Sequence, residues 1–453
     1  MSLFSSLRRE QREAIGLLQI GTFLEYFDLM LYVHMAVLLN DLFFPKTDPH
    51  TASLIAAFAF CSTYVLRPFG ALLFGWIGDN IGRKTTVIMT TMMMAVSCLI
   101  MANLPTYSQI GISAAWIVTI CRLLQGLSSM GEIVGAKLYL IETIKLPERF
   151  QAVATLGIST VLGSSVALLI ASLVTTQGFN WRLAFWIGAG IALVGSIART
   201  RLRETPEFVD MERRIKKAIE ESSCDGLGKA ADLLKSTNLL FKEKISGKTF
   251  TANFFIQCGW PVAFFFSYVH CGMILKNQFG YTPEQIIYQN FKVSLFQLLS
   301  WVFATVLCVR VNPLKIVKIR SFIFYFLVLV LPFLMNHCKS PSDIFVLQSL
   351  IVVFGLIDIP AVPIFIIYFP VFRRFTCESF AYAASRALVY VLTSVSLVYL
   401  TNAFGHYGLW FVMIPASLMF VWGLNHFEKL EYEARHDNPE TALRKPLTSS
   451  SAR

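Results

Sequence analysis

About twelve long apolar stretches recur along this chain, near residues 15 to 39, 52 to 77, 86 to 103, 110 to 141, 151 to 175, 181 to 199, 249 to 275, 285 to 310, 316 to 336, 342 to 370, 378 to 401 and 406 to 427. Each approaches or exceeds the roughly 20 residues with which an α-helix crosses a hydrocarbon core about 30 Å thick. Short polar breaks separate them. A backbone in hydrocarbon has no water to bond, so segments of this length have to be helices that close their own hydrogen bonds. The rest of the composition agrees: of 453 residues, 55% are hydrophobic and only 15% charged, and the mean hydropathy is +0.60. The expectation is an all-α polytopic membrane protein.

A net charge of +11 would suit a nucleic-acid binder, but its distribution excludes that. Arg8, Arg9 and Arg12, Arg83 and Lys84, Lys145 and Arg149, Arg310, Lys315, Lys318 and Arg320, and Arg373 and Arg374 fall in alternate loops, whereas the other loops hold little beyond Lys46, Lys276 and Lys339. That is the positive-inside pattern. It places both termini in the cytoplasm, makes the number of spans even, and sets the basic face against anionic lipid, with no nucleic acid as partner. The nine cysteines stand singly, Cys61, Cys98, Cys121 and Cys308 among them, and lack the paired spacing of a metal site; they are expected to be small buried hydrophobes. Arg8 to Arg12 leads into a full-length span with no small-residue cleavage site, so no cleavable signal peptide is expected.

The longest hydrophilic stretch lies between two sets of six spans. The expected organisation is a six-helix half-bundle over 1–200, a cytoplasmic linker over 201–248, a second six-helix half-bundle over 249–427, and a disordered cytoplasmic tail over 428–453. Within the linker, Glu204-Thr205-Pro206-Glu207-Phe208 predicts a helix start, with Thr205 as cap and Pro206 at the first helical position. Six plus six around a midplane site is the plan of carriers that work by alternating access.

Charges kept inside spans are functional candidates, because one at the centre of a spanning helix costs about 2.5 to 3.5 kcal/mol. Glu25 and Asp28 in span 1 are three apart and share a helix face with Gly21 and Tyr32. This is either a polar stripe facing a cavity or a carboxylate paired to an arginine that locks two helices. Arg67, before Pro68 in span 2, can hold a carboxylate of span 1 or of a substrate in a bidentate pair. In span 4, Arg122, Gln125, Ser129 and Glu132 line one inward face beside Gly126, Gly131 and Gly135, with Glu132 placed to exchange a proton. Lys137 points off that stripe, and snorkelling or a site role are both open to it. The second half holds Lys292, Asp358 and Arg386. Asp358 precedes Pro360 and Pro363, which break the helical ladder; it either stands at a site or staples a kink through Arg386. Phe264-Phe265-Phe266 suggests lipid-facing packing before an aromatic cage for a cation.

The turn Gly75-Trp76-Ile77-Gly78-Asp79-Asn80-Ile81-Gly82-Arg83-Lys84 resembles the signature loop of the major facilitator superfamily, and Arg122-Leu-Leu-Gln125-Gly126 resembles its span 4 motif. Arg67-Pro68-Phe69-Gly70, Gly131-Glu132, Glu25-Tyr26-Phe27-Asp28, Asn180-Trp181-Arg182 and the stretch from Glu204 to Phe208 are similar to the superfamily's metabolite:proton symporters. The resemblance is close over residues 15 to 210 and rests mainly on topology beyond them. It implies that fold, a bacterial inner-membrane location, and proton-driven uptake of small carboxylate-bearing metabolites such as proline, betaine, 2-oxoglutarate, shikimate and citrate. It further implies a cytoplasmic gate of Gly75, Asp79, Gly82, Arg83, Lys84, Glu142 and Arg149. With the charges kept inside the spans, the candidate substrate and proton site is Glu25, Asp28, Arg67, Arg122, Gln125, Glu132, Arg182 and Asp358. Four departures stand out. Val309-Arg310-Val311-Asn312-Pro313 has lost the aspartate and glycines of a second signature loop, Phe150 stands where glycine is usual, Lys137 stands where a small or uncharged residue is usual, and the C-terminal coiled coil of osmosensing members is missing. The span 5 glycine motif of antiporters is also absent, which favours symport.

The expected partners are a small-molecule substrate, protons and lipid, with a monomer as the working unit, no cofactor or metal, and the proton gradient as energy source. An uncoupled uniporter and a transport-inactive receptor remain as alternatives. A membrane enzyme would need a nucleophile with a base or a phosphate-binding turn in some loop, and none is evident.

Overall fold

The computed structural model describes residues 7–45, 64, 66–177, 180–200 and 245–437, with Glu204, Val209 and Arg213. Besides three short helical turns, the described residues form twelve long helices: α1 (Arg9–Phe43), α2 (Arg67–Asn80), α3 (Arg83–Asn103), α4 (Ile112–Thr143), α5 (Glu148–Gln177), α6 (Arg182–Arg199), α7 (Gly247–Phe279), α8 (Pro283–Leu307), α9 (Pro313–Asn336), α10 (Pro341–Phe354), α11 (Val371–Phe404) and α12 (Trp410–Asp437). Eight of these are long and apolar enough to cross a membrane by length and composition. The predicted surface helix of the linker and the first part of span 2 lie outside the described residues. The expected tail does not start at Glu428, since α12 continues as helix to Asp437; residues 438–453 lie outside the described ones.

The helices pack as two sets of six. In the first, α1 lies along α5 and α3 between α4 and α6; in the second, α7 lies along α11 and α12. The sets meet along two seams, α2 against α11 and α5 against α8. Moving six helices along the chain turns one seam into the other, as two related repeats require. Small residues set how closely helices approach in a medium with no hydrophobic drive between them. A Cβ added to Gly75 would lie 2.8 Å from the Thr376 Cα across the first seam, and one on Gly157 would lie 3.0 Å from the Trp301 ring across the second. Large apolar side chains such as Leu299, Phe303 and Phe322 are exposed on the outside of the bundle, where a bilayer covers them.

Two spans of the second half are irregular. α7 carries Pro261 and then a π-helical turn, Phe265–His270. α10 stops at Phe354, runs non-helically through residues 355–361, and resumes as a short helix, Val362–Ile367. This is the break predicted from Pro360 and Pro363. The unwound backbone is served by side chains: the Val353 carbonyl accepts from Ser300 Oγ at 2.9 Å and from Arg320 Nη2 at 2.7 Å.

The α1–α5 contact gives a direct test of close packing. A Cβ on Gly163 would strike the Phe23 carbonyl oxygen, and a backbone atom cannot swing aside as a side-chain tip can. Gly163→Val should destabilise the folded protein by about 1 to 3 kcal/mol, read as a lowered melting temperature in detergent. An unchanged melting temperature would mean that α1 and α5 are not held at this spacing.

Candidate functional site

A cavity of about 90 Å³ lies between the two sets of helices. Its wall comes from α1, α4, α5, α7, α8 and α11, the α10 break, Arg67 at the start of α2, and Tyr64 before it. α3, α6, α9 and α12 contribute none of its lining. The charged groups on the wall are Arg67, Lys137, Asp358 and Arg386, set among aromatic side chains that include Tyr64, Trp260, Phe264, Trp301 and Tyr382. Phe264 therefore faces the cavity, while Phe265 and Phe266 are buried in the core of the second half. This corrects the lipid-facing expectation for that run.

Arg67 is 2% exposed. Its guanidinium carbon lies 4.6 Å over the Tyr64 ring, and its Nε and Nη2 have no hydrogen-bond partner among the described residues. Arg386 stacks on Tyr382 at 3.3 Å, and its Nη1 donates to the Gln257 Oε1 at 3.2 Å. Gln257 Nε2 in turn donates to Asp358 Oδ2 and to Glu378 Oε1, each at 3.2 Å. Asp358 and Arg386 are thus joined through Gln257 rather than as a direct staple. Glu378, fully buried, also accepts from Asn253 Nδ2 at 2.7 Å. Across the middle of the bundle, the Tyr26 and Tyr382 hydroxyls share a 2.7 Å hydrogen bond.

The other predicted site residues lie elsewhere. Glu25 and Asp28 are buried but do not line the cavity; from α1 that position belongs to Thr22, Tyr26, Leu29 and Met30. Asp28 Oδ1 instead accepts from Cys98 Sγ of α3 at 3.4 Å, within electrostatic reach of Arg122. Arg122 Nη1 donates to Gln125 Oε1 at 2.9 Å, and Glu132 Oε2 accepts from Thr91 Oγ1 of α3 at 2.7 Å. The α4 stripe faces inward, as expected, but into the interior of the first half. Ile133 and Lys137, four residues apart on another face of α4, reach the cavity. Arg182 is remote from the cavity: it stacks on Trp181 and donates from Nη2 to the Leu104 carbonyl at 2.8 Å, at the end of α3. Lys292 lies over the rings of Tyr288 and Phe345.

The gate residues assemble at the end of the bundle where α2 turns into α3. Asp79 accepts from the backbone N–H groups of Phe375 and Thr376 at 3.2 and 3.0 Å and from Thr376 Oγ1 at 2.8 Å. These amides lie in the second turn of α11, and hydrogen bonds to an ionised carboxylate are among the stronger ones. Arg83, with no exposed surface, contacts Asp79 and Glu142 at 3.3 Å and donates to the Val371 carbonyl at 2.8 Å and to the Gly78 carbonyl. Arg374 of the second half reaches Glu142 at 3.4 Å. Gly82 has φ 137°, a conformation that favours glycine, and it turns the chain so that Glu204 accepts from the backbone N–H groups of Arg83 and Lys84 at the start of α3. A Cβ on Gly78 would strike the Phe375 ring, and Gly75 packs on Thr376. Arg149 Nε donates to the Ile144 carbonyl at 2.7 Å. At this end the two halves are closed on each other.

The family model of the Major Facilitator Superfamily matches residues 18–427. The chain belongs to the major facilitator superfamily. Over 222 residues it is 31% identical to the proline/betaine transporter of Salmonella typhimurium, covering 48% of this chain and 44% of that one. Over 223 residues it is 32% identical to the glycine betaine/proline/ectoine/pipecolic acid transporter OusA of Dickeya dadantii, with the same coverage. The matched stretch thus spans less than half the length of these curated relatives. Among solved structures, the proton:xylose symporter XylE bound to 6-bromo-6-deoxy-D-glucose has a TM-score of 0.72 at 14% identity, over 92% of this chain and 95% of that one. The human organic anion transporter MFSD10 has 0.62 at 15% identity, over 93% and 100%. At such identities these neighbours share the fold, a multi-pass membrane bundle of two six-helix halves. The relatives and neighbours are transporters, not enzymes.

The Asp79 contacts carry a consequence for closure. Asp79→Asn keeps the shape but removes the charge from the start of α11. It should weaken the closed state by about 1 to 2 kcal/mol, a factor of roughly 5 to 30 in its population. Uptake into cells should fall while expression and melting temperature hold. Normal uptake at wild-type expression would remove Asp79 from the latch.

Proposed function

We propose that this protein is a secondary transporter of the bacterial inner membrane, with both termini in the cytoplasm, that carries a small carboxylate-bearing metabolite together with protons by alternating access. The observation that carries this reading is the cavity wall. Three cations, Arg67, Lys137 and Arg386, face a space between two halves that close on each other at one end. Arg67 presents donors that have no partner among the described residues, and a buried guanidinium is costly unless something answers it. A carboxylate fits its planar fork. The aromatic residues around it suit a compact apolar or quaternary ammonium moiety on the same molecule, which favours amino-acid and betaine-type solutes alongside plain organic acids. The names of the relatives point the same way.

In this reading Glu25, Asp28, Arg122, Gln125 and Glu132 form the polar interior of the first half, and Arg182 caps α3. Substrate contact belongs to Arg67 and Lys137 from the first half, with Arg386 and Asp358 supplied by the second. The scheme requires accumulation of substrate in proteoliposomes under an imposed pH gradient, inside alkaline, and counterflow without one. Counterflow without gradient-driven accumulation would make the protein a uniporter.

Arg67→Lys keeps the charge and loses the fork. It should weaken binding of proline or glycine betaine roughly tenfold, about 1.4 kcal/mol, and Arg67→Ala should weaken it further, with melting temperatures close to wild type. Affinity unchanged by both variants would make Arg67 a structural residue.

A further inference from the structure

One ion pair crosses between the halves inside the cavity wall. Lys137 Nζ of α4 lies 3.8 Å from Asp358 Oδ2 in the α10 break, and the two side chains are 12% and 13% exposed. The contact is loose, and neither partner is saturated by it. Asp358 Oδ2 shares the Gln257 amide donor with Glu378, and the Lys137 ammonium lies 5.2 Å over the Tyr382 ring. The titratable groups around Asp358 are Lys137 from α4 and Glu378, Tyr382 and Arg386 from α11; α7 offers the neutral Gln257, and α5 and α8 put no charged group on the wall. Within this cluster the charge is balanced, Lys137 and Arg386 against Asp358 and Glu378; Arg67, on the same cavity wall, stands outside it.

A carboxylate arriving at Lys137 upsets that balance. It reaches the ammonium by displacing Asp358, which leaves two protein carboxylates facing Arg386 alone in a largely buried setting. Removing one partner of a buried pair is costly because it strands the other charge. One proton on Asp358 restores neutrality. We propose that Lys137 and Asp358 are the coupling element of this transporter: the substrate's carboxylate takes Lys137 from Asp358, and Asp358 takes a proton from the open side in exchange. The inference rests on the carboxylate-substrate reading above. On release the proton leaves Asp358 to the other side, the substrate leaves Lys137, and the ion pair re-forms, so one proton crosses with each carboxylate. Because the pair joins α4 to α10, its opening and closing also alters the hold of one half on the other.

Two measurements on the full-length protein in lipid nanodiscs test this, one of them without ligand. Lys137→Met strands Asp358, so the folded variant must hold a proton that the unfolded chain gives up as pH rises. Its stability should therefore fall with rising pH, by up to about tenfold in the folding equilibrium per pH unit, while Lys137→Met/Asp358→Asn follows wild type. If Lys137→Met alone cannot be purified, recovery by the double variant is the expected result, and failure of both to fold while Asp358→Asn folds normally counts against the pair. In the second measurement, glycine betaine and 2-oxoglutarate serve as probes. Their affinity for wild type should weaken by up to about tenfold per pH unit as pH rises, Glu132→Gln should keep that dependence, and Asp358→Asn should lose it. A Lys137→Met profile parallel to that of the double variant, or an Asp358→Asn variant with wild-type pH dependence, overturns the proposal. If neither probe binds wild type at any pH, the carboxylate reading fails instead, and the ligand-free profiles alone decide whether Asp358 trades Lys137 for a proton.

Discussion

A backbone amide in a hydrocarbon core can bond only to protein, and this scarcity governs where the chain is free to be irregular. Unwound backbone at residues 355–361 is admissible because it faces the cavity and because Ser300 and Arg320 occupy the Val353 carbonyl that α10 leaves exposed. The break in turn puts Asp358 on the cavity wall, where a continuous helix would have spent the same backbone on its own ladder. The polar wall of the second half thus depends on one arginine and one serine that never touch the cavity.

Closure at the latch end is built asymmetrically. The first-half loop supplies Asp79, Arg83 and Glu142, whereas the corresponding second-half loop is reduced to Asn312, whose side chain accepts from Leu314 N–H at 2.9 Å and merely caps α9. Some of what the second loop lost is replaced by apolar contact. Phe150, at the start of α5 where a glycine would be usual, is 1% exposed and belongs to the core cluster of the second half. A charged latch opens when water reaches it, while an apolar plug resists water.

The span pattern, the even count and the α10 break were legible in the sequence because each follows from a one-dimensional signal: run length, the alternation of charge, and a pair of prolines. The meeting of Asp79, Arg83 and Glu142 was legible because they lie within one short loop and the helix end that it meets. The cavity was less so. Glu25 and Asp28, and the α4 stripe from Arg122 to Glu132, were correctly placed on inward faces, but a helix inside a bundle has two inward faces, one toward its own half and one toward the partner half. Spacing along one chain segment cannot say which is which. Lys137 differs from Glu132 by five residues, enough at about 100° per residue to move it onto the cavity face. Glu378 was missed because span 11 was expected to begin there; α11 begins at Val371, so a residue taken for the span's first lies two turns inside the helix.

These corrections divide the buried charges by role. In the first half they mostly bond within α3 and α4, as in Thr91 to Glu132 and Arg122 to Gln125, and tie that half into one body. Lys137 and Asp358 meet across the halves at the α10 break, while most of the rest lie on α11, bonded partly to the first half and partly to α7 of its own half. That single helix presents the Phe375 and Thr376 amides to Asp79, Glu378 to Asn253 and Gln257, and Tyr382 and Arg386 to the cavity. Ten residues separate Thr376 from Arg386, about 15 Å of rigid helix. A tilt of α11 that frees its N-terminus from Asp79 must therefore also shift the Tyr26–Tyr382 contact and the donors around Asp358. The amides that hold Asp79 and the cavity residues Tyr382 and Arg386 thus lie on one helix, and a rigid tilt of α11 moves both together.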